Sequence, residues 1–328
     1  MSQPRLPSLR DIESAEGRIR EYFPPTPLEY SRGISELLGR EVYLKLETAL
    51  PIRVFKLRGA LNRLKTLPEP SLKRGVITAS SGNHGFAIAY VSKLLGVRAV
   101  VSVPENVNPQ KLKAIQEQGA EIIRYGKGYD EAYEQALVAA EKRGLTFIHA
   151  FNDPQIIAGQ GTCGLEMIRQ LPDLDAAAVA IGGGGLISGV AIALKGVSPR
   201  VRVYGAETVA IPSMYESLAK GSPFRVDPKP TIADGMQAAV PGDLTFESVR
   251  KNVDKVGLVN DAELEDAIYE LLTLARVLAE PAGASPLAVM KGSLKGEPGQ
   301  KLVLVVSGGN ISVGLLRAIL MKREKGSS

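Results

Sequence analysis

The sequence predicts an α/β protein built from two open parallel sheets with helices on both faces, the smaller unit inserted in the larger. Three observations carry that prediction. Short, continuously apolar runs recur along the chain, each ends at a Gly- or Ser-rich turn, and each turn opens a stretch with apolar residues at helical spacing. Apolar runs without alternation are strands buried on both faces, as in parallel sheets layered between helices.

In chain order, GVITA (75–79) runs into SSGNHG, followed by FAIAYVSKLL at helical spacing. RAVVSV (98–103) precedes a helix after Pro109, and EIIRY (121–125) precedes one from Asp130 to Arg143. AAAVAI (176–181) meets four glycines, RVYGA (202–206) meets a helix, and LVLVV (302–306) meets SGGN and a last helix. The segment TLPEPSLK (66–73) reads as a linker, because two prolines break any helix there. A second junction falls near HAFNDP (149–154). The large unit is therefore expected over 1–66 and 149–328, and the small one over 67–148.

Composition narrows the function. The 328 residues suffice for two domains. Hydrophobic residues at 45% and charged residues at 23% are ordinary globular usage, which excludes disordered, collagen-like and coiled-coil classes. One cysteine, Cys163, excludes a disulfide framework. With only His84 and His149 as histidines and no HExxH, no metal site is expected. The net charge of +5 comes from interspersed signs, and only MKREKG near the end forms a basic cluster. With no tryptophan and few aromatics for stacking, no nucleic-acid partner is expected. The first twenty residues carry charges where a signal peptide has an apolar run, and no run of about 18 apolar residues occurs. A soluble, cytoplasmic protein without a membrane partner is the expectation.

Three glycine-rich turns stand where an open α/β sheet binds ligands, at the carboxyl ends of its strands. They span 78–85, 181–189 and 306–312. In the second, Gly182, Gly183, Gly184 and Gly185 leave backbone amides uncovered at a helix start, which suits a phosphate. A tight strand-to-helix turn needs only one or two glycines. No Lys-Ser/Thr follows, so this is no Walker loop, and Ile187 stands where a Rossmann fingerprint has its third glycine. Glu207, at a strand end beyond the loop, stands roughly where a ribose-binding acid would sit, which keeps a dinucleotide-dependent oxidoreductase as an alternative.

Lys56 lies among Val54, Phe55 and Leu57, where desolvation would lower its pKa and free it as a nucleophile toward a carbonyl. A snorkelling surface lysine is the competing reading. SSGNHG groups hydroxyls, an amide and an imidazole at a helix start; it could hold a carboxylate or simply cap the helix through Ser80 or Ser81. Ser307 carries the same ambiguity. His149 and Cys163 read as structural. No GxSxG elbow appears.

Read together, these pieces resemble the threonine/serine dehydratase and serine racemase family of pyridoxal-phosphate enzymes, with the tryptophan synthase β-like fold (fold type II). The resemblance covers nearly the whole chain. It rests on YLKLE (43–47), FKLRGA (55–60), SSGNHG (80–85), IIAGQGT (156–162), GGGGLISG (182–189), TIADG (231–235), EPAGA (280–284) and SGGN (307–310), in the family's order.

The resemblance implies that Lys56 bonds pyridoxal 5'-phosphate covalently and that Gly182 to Gly185, with the Leu186 amide, cradle its phosphate. It places Asn83 beside the cofactor's 3-oxygen, Ser307 at the pyridine nitrogen and Asn152 near the cofactor. Ser80, Ser81, Asn83 and His84 would grip the substrate carboxylate, with Ser81 as a catalytic serine on the second face. The implied activity is an ammonia-lyase eliminating the β-hydroxyl of L-threonine or L-serine, in a homodimer or homotetramer. Serine racemase and hydroxyaspartate dehydratase are the alternatives on the same scaffold. The chain departs from the family at Arg53 and Val54, which replace a glycine and a serine before PheLys. It also lacks the arginine that racemases carry in the stretch corresponding to 129–134. Ser213 replaces one metal-binding acid of the racemases, although Glu207 matches another.

Overall fold

The computed structural model describes residues 5–326. Met1–Pro4, the head of the N-terminal stretch read against a signal peptide, and Ser327–Ser328 lie outside the described residues. In chain order the strands are β1 (Leu28–Tyr30), β2 (Glu41–Leu46), β3 (Val76–Ala79), β4 (Ala99–Val103) and β5 (Glu121–Arg124). They continue with β6 (Thr146–Phe147), β7 (Ala176–Ala180), β8 (Arg202–Thr208), β9 (Lys255–Val259) and β10 (Lys301–Val306). One sheet has the order β1-β2-β10-β7-β8-β9, the other β5-β4-β3-β6. Neighbours are parallel except β1, which pairs antiparallel with β2 at the edge.

The apolar runs became strands for the reason that made them legible. Alternate residues of β7 and β10 divide between two cores: Ala176, Ala178, Leu302 and Leu304 face one, and Ala177, Val179, Val303 and Val305 the other. Both faces are covered, so no alternation shows. In β9, which the sequence reading passed over, burial is uneven, as suits an edge strand. The stretch 66–73, read as a helix-free linker, runs into a short helix, Glu69–Arg74. Pro70 is tolerated because it stands in the first turn, where an amide would be unpaired anyway.

Two features position the site. First, β7 and β10 pair in register (Leu302 opposite Ala176), so the glycine loop after β7 and Ser307 after β10 emerge side by side. Second, three helices cross backbone to backbone near their starts. A Cβ on Gly159 of the Pro154–Gln170 helix would stand 2.6 Å from the Arg58 carbonyl oxygen of the Lys56–Lys65 helix. A Cβ on Gly189 of the Gly185–Val197 helix would stand 2.3 Å from the Ile157 carbonyl oxygen. Only glycine permits such contact. The crossings gather Lys56, the segment before Pro154 and the glycine loop at one place. Among the described residues no helix is long and apolar enough to cross a membrane, and no cluster of three or more His, Cys, Asp and Glu side chains could hold a metal.

Candidate active site

Lys56 opens its helix. The residues before it are zipped to the end of β10: Val54 bridges Gly308, and the Phe55 amide donates to the Ser307 carbonyl at 3.0 Å. The partly buried Lys56 Nζ donates to the Ala150 carbonyl at 2.9 Å and lies 5.1 Å from the Phe55 ring centroid. Burial lowers this amine from 10.5 to about 8. A surface lysine that snorkels outward would do none of this.

Arg53 adopts a φ of 56°, the left-handed region that favours glycine, at the position where the resembled family has glycine. Its backbone is held by the Leu50 carbonyl (2.7 Å) and by the Gly309 amide (3.0 Å). The departure from the family pattern therefore keeps the turn and adds backbone strain.

Gly184 is the N-cap of the Gly185–Val197 helix with a φ of 88°, a turn that a side chain would strain. The amides of Gly182, Gly183, Gly184, Gly185 and Leu186 have no loop, turn or side-chain acceptor among the described residues. They are open donors at a helix start. The Phe151 ring lies against this loop: a Cβ on Gly183 would stand 2.2 Å from its Cδ1.

Ser307 is 1% exposed, and its Oγ makes no hydrogen bond among the described residues. It does not cap the last helix; Ser312 does, its Oγ accepting from the Leu315 amide at 3.2 Å. Ser80 and Ser81 do not cap theirs either. The cap of the Asn83–Leu95 helix is Gly82, whose amide donates to Ser80 Oγ at 3.2 Å. Ser81 and Asn83 line a cleft of about 390 Å³ between the two sheets, with Asp234, Glu280 and Asn310 on the opposite wall. Asn83 Nδ2 donates to Glu280 Oε1 at 2.7 Å, and its Oδ1 accepts from Asn310 Nδ2 at 2.9 Å. Burial raises the Glu280 carboxyl to about 7 against the pull of that Asn83 hydrogen bond. His84, 4% exposed, lies 3.5 Å from the Ile148 carbonyl, and burial together with the nearby Lys56 charge keeps it well below its ordinary value.

Asn152 follows Phe151, whose ring meets the glycine loop, and its Oδ1 accepts from the Leu244 amide at 3.1 Å, in the first turn of the Asp243–Asn252 helix. One expectation needs correction: Glu207 is no ribose-binding acid. Its carboxylate accepts from the Met214 and Tyr215 amides, each at 2.8 Å, capping the Ser213–Lys220 helix, and it is 1% exposed. The readings of His149 and Cys163 as structural hold. His149 Nδ1 accepts from the Phe151 and Asn152 amides, and its ring packs edge-on against Phe151 at 4.6 Å. Cys163 is fully buried beside Met167.

Sequence reasoning missed Phe151, Glu280 and Asn310 as members of the site. Glu280 and Asn310 do lie within two of the matching segments, which is the signal that could have found them.

A glycine loop with open amides, an amine with a lowered pKa and a serine with an unbonded hydroxyl, all at the carboxyl edge of an open sheet, define a cofactor-dependent enzyme. The chain belongs to the pyridoxal-phosphate dependent enzyme family, whose model matches residues 19–308. It is similar to the L-threonine ammonia-lyase of Thermotoga maritima, with 44% identity over 96% of this chain and 78% of that one. The serine racemase of Dictyostelium discoideum is 38% identical over 95% of this chain and 98% of its own. Among solved structures, that of maize serine racemase superposes with a TM-score of 0.91 at 34% identity, covering 98% of this chain and 99% of that one. The cofactor is pyridoxal 5'-phosphate. The residues present fit it: the open amides suit its phosphate and the unpartnered Ser307 Oγ suits its ring nitrogen.

Proposed function

We propose that this enzyme is an ammonia-lyase that converts L-threonine or L-serine to 2-oxobutanoate or pyruvate and ammonia. The observation that carries the reading is the placement of the Lys56 amine, turned inward onto the Ala150 carbonyl beside the glycine loop. The similarity to an L-threonine ammonia-lyase supports the same choice of reaction.

In this reading Lys56 bonds the cofactor covalently, the amides of Gly182 to Leu186 hold its phosphate, Ser307 meets its ring nitrogen and Asn83 its 3-oxygen. When bound, pyridoxal phosphate supplies the electron sink that makes the Cα proton of an amino acid labile. The remaining work belongs to the chain. Ser80, Ser81, Asn83 and His84 orient the substrate carboxylate with amides and hydroxyls, because the neutral His84 brings no charge of its own. The Lys56 amine would accept the Cα proton; a pKa of about 8 leaves a useful fraction of free base near neutral pH. The β-hydroxyl would leave Cβ and take up the proton held on Lys56 to depart as water, and the enamine, once tautomerised to the imine, would add water and lose ammonia. A serine at the ring nitrogen offers a hydroxyl rather than an ionised carboxylate, which favours prompt loss of hydroxide over a long-lived charge at Cα.

The reading carries with it a cytoplasmic location and a homodimer or homotetramer. Racemisation of serine is a second reading, supported by Ser81 on the cleft wall and by the racemase relative. One assay separates them. Purified protein supplied with L-threonine and L-serine is expected to release 2-oxo acid and ammonia in equal amounts, with D-serine as a minor product. D-serine in excess of pyruvate would favour the racemase, and neither product would reject both.

A further inference from the structure

Two of the matching segments hold charged side chains that the proposed chemistry does not use, Lys45 and Glu47 in 43–47 and Arg58 in 55–60, and a third supplies Thr162 beside them (156–162). All are almost fully buried, and Glu166 joins them. Arg58 makes two forks. Toward Glu47, Nε donates to Oε2 at 2.6 Å and Nη2 to Oε1 at 2.8 Å. Toward Glu166, Nη1 donates to Oε1 and Nη2 to Oε2, each at 2.8 Å. Thr162 Oγ1 accepts its fifth N–H, from Nη1 at 3.0 Å, and Thr26 Oγ1 shares an Nη2 hydrogen at 3.1 Å. Lys45 Nζ donates to Glu166 Oε2, the Thr26 carbonyl and Gln170 Oε1, so two cations face two carboxylates with every donor used.

Burial alone would raise the Glu166 carboxyl, but Arg58 and Lys45 carry it down to about 2. Such a cluster is a poor source of net stability, because desolvation cancels most of the attraction. What a bidentate guanidinium does supply is geometry. Here the geometry concerns the active amine. Arg58 stands two residues beyond Lys56, and its carbonyl touches Gly159 of the next helix. Glu47 follows the end of β2, and Glu166 belongs to the helix whose approach carries Ala150.

We propose that Arg58 is the positioning residue for Lys56: its two forks fix the start of the lysine helix against the end of β2 and the Pro154–Gln170 helix, and so fix the amine against the Ala150 carbonyl. The inference rests on Lys56 being the cofactor lysine.

The test compares holoenzymes of the full chain. Arg58→Lys keeps the charge and loses the forks; Glu47→Gln keeps the shape and weakens one fork. Leu264→Ala, in the separate core on the other side of the large sheet, is a control for lost stability alone. In Arg58→Lys, kcat is expected to fall by roughly tenfold or more with KM little changed, as for a reacting group moved a fraction of an ångström. Glu47→Gln should show the same effect in smaller measure, which keeps the test alive if Arg58→Lys does not fold. Two further readouts should move together: faster release of pyridoxal phosphate on dialysis, and a rise in the acid limb of the kcat–pH profile from about 8 toward the ordinary lysine value as the amine is wetted. Leu264→Ala should lower the melting temperature and leave all three readouts unchanged. If both fork variants only melt earlier, with kcat, cofactor release and pH limb as in the wild type, Arg58 is structural and the inference is wrong. Failure of the underlying reading looks different, since wild-type protein would then carry no cofactor on Lys56.

Discussion

Two regions of the site are fastened by different means. On the side of the six-stranded sheet, Lys56, the glycine loop and Ser307 stand on helix starts and strand ends that touch backbone to backbone, beside a fully paired buried charge cluster. On the side of the four-stranded sheet, Val76, Ala87, Ile88 and Val91 share a buried apolar core with Leu57, Leu61 and Leu64 of the lysine helix, but across the cleft mouth the links are polar: Asn83 reaches to Glu280 and Asn310, and two solvent-exposed ion pairs join Lys111 to Asp234 and Arg225 to Asp130. Exposed pairs contribute about 1 kcal/mol at most and are screened by salt. The contrast teaches where rigidity is spent. Lys56, the glycine loop and Ser307 are over-determined, whereas the mouth of the cleft beside Asn83 is held lightly.

The largest effect should come from the rigid region. Lys56→Ala removes both anchor and base, and turnover should drop by on the order of 10³-fold or more with the fold intact, since little packing is lost. Native-like elimination by that variant would remove Lys56 from the chemistry. Gly183→Asp should yield cofactor-free protein: its Cβ would collide with Phe151, and its carboxylate would repel a phosphate. Wild-type occupancy, read from the visible absorption after purification, would place the phosphate elsewhere.

The next effect is one of pH. The Lys56 amine must be unprotonated to accept a proton, and its depressed pKa of about 8 sets the direction: kcat should rise with pH and level off above that value. At pH 7 the rate should be about tenfold below the plateau. A profile flat from pH 6 to 9 would mean another base.

Ser307→Asp should shift the balance of outcomes rather than abolish them. An ionised partner strengthens the electron sink and stabilises charge at Cα, so solvent deuterium in recovered L-serine should increase relative to pyruvate. An unchanged ratio with cofactor bound would show that Ser307 does not face the ring nitrogen. The smallest effect belongs to the lightly held mouth. Lys111→Ala should raise KM by about twofold at low salt, and the difference should disappear near 1 M salt, where screening removes the wild-type pair as well. A large, salt-insensitive loss would mean that the mouth is more tightly fastened than its exposed pairs suggest.

Legibility in the sequence followed the same divide. β3, β4, β7 and β10 could be read because central parallel strands are apolar on both faces. The edge strand β9 and the two-residue β6 could not be read, β9 because Lys255 and Gly257 break its apolar run and β6 because two residues make none, although the half-exposed edge strand β5 could. The glycine loop stood out because four glycines at a strand end announce a ligand edge, whereas Lys56 and Ser307 were ambiguous by their own neighbourhoods and were singled out by the resemblance. Glu207 misled because its carboxyl is spent on the Met214 and Tyr215 amides, which no local pattern reveals. The buried charge cluster was illegible for a plainer reason: Lys45 and Glu166 are 121 positions apart, and each alone looks like a solvated surface charge.

The most direct test of the account asks which lysine holds the cofactor. Purified protein would be reduced with borohydride, digested, and its peptides weighed for the added pyridoxyl phosphate. The account predicts the label on Lys56 alone, at close to one per chain. Label on any other lysine, or none on a protein that still eliminates hydroxide from L-threonine, would contradict it.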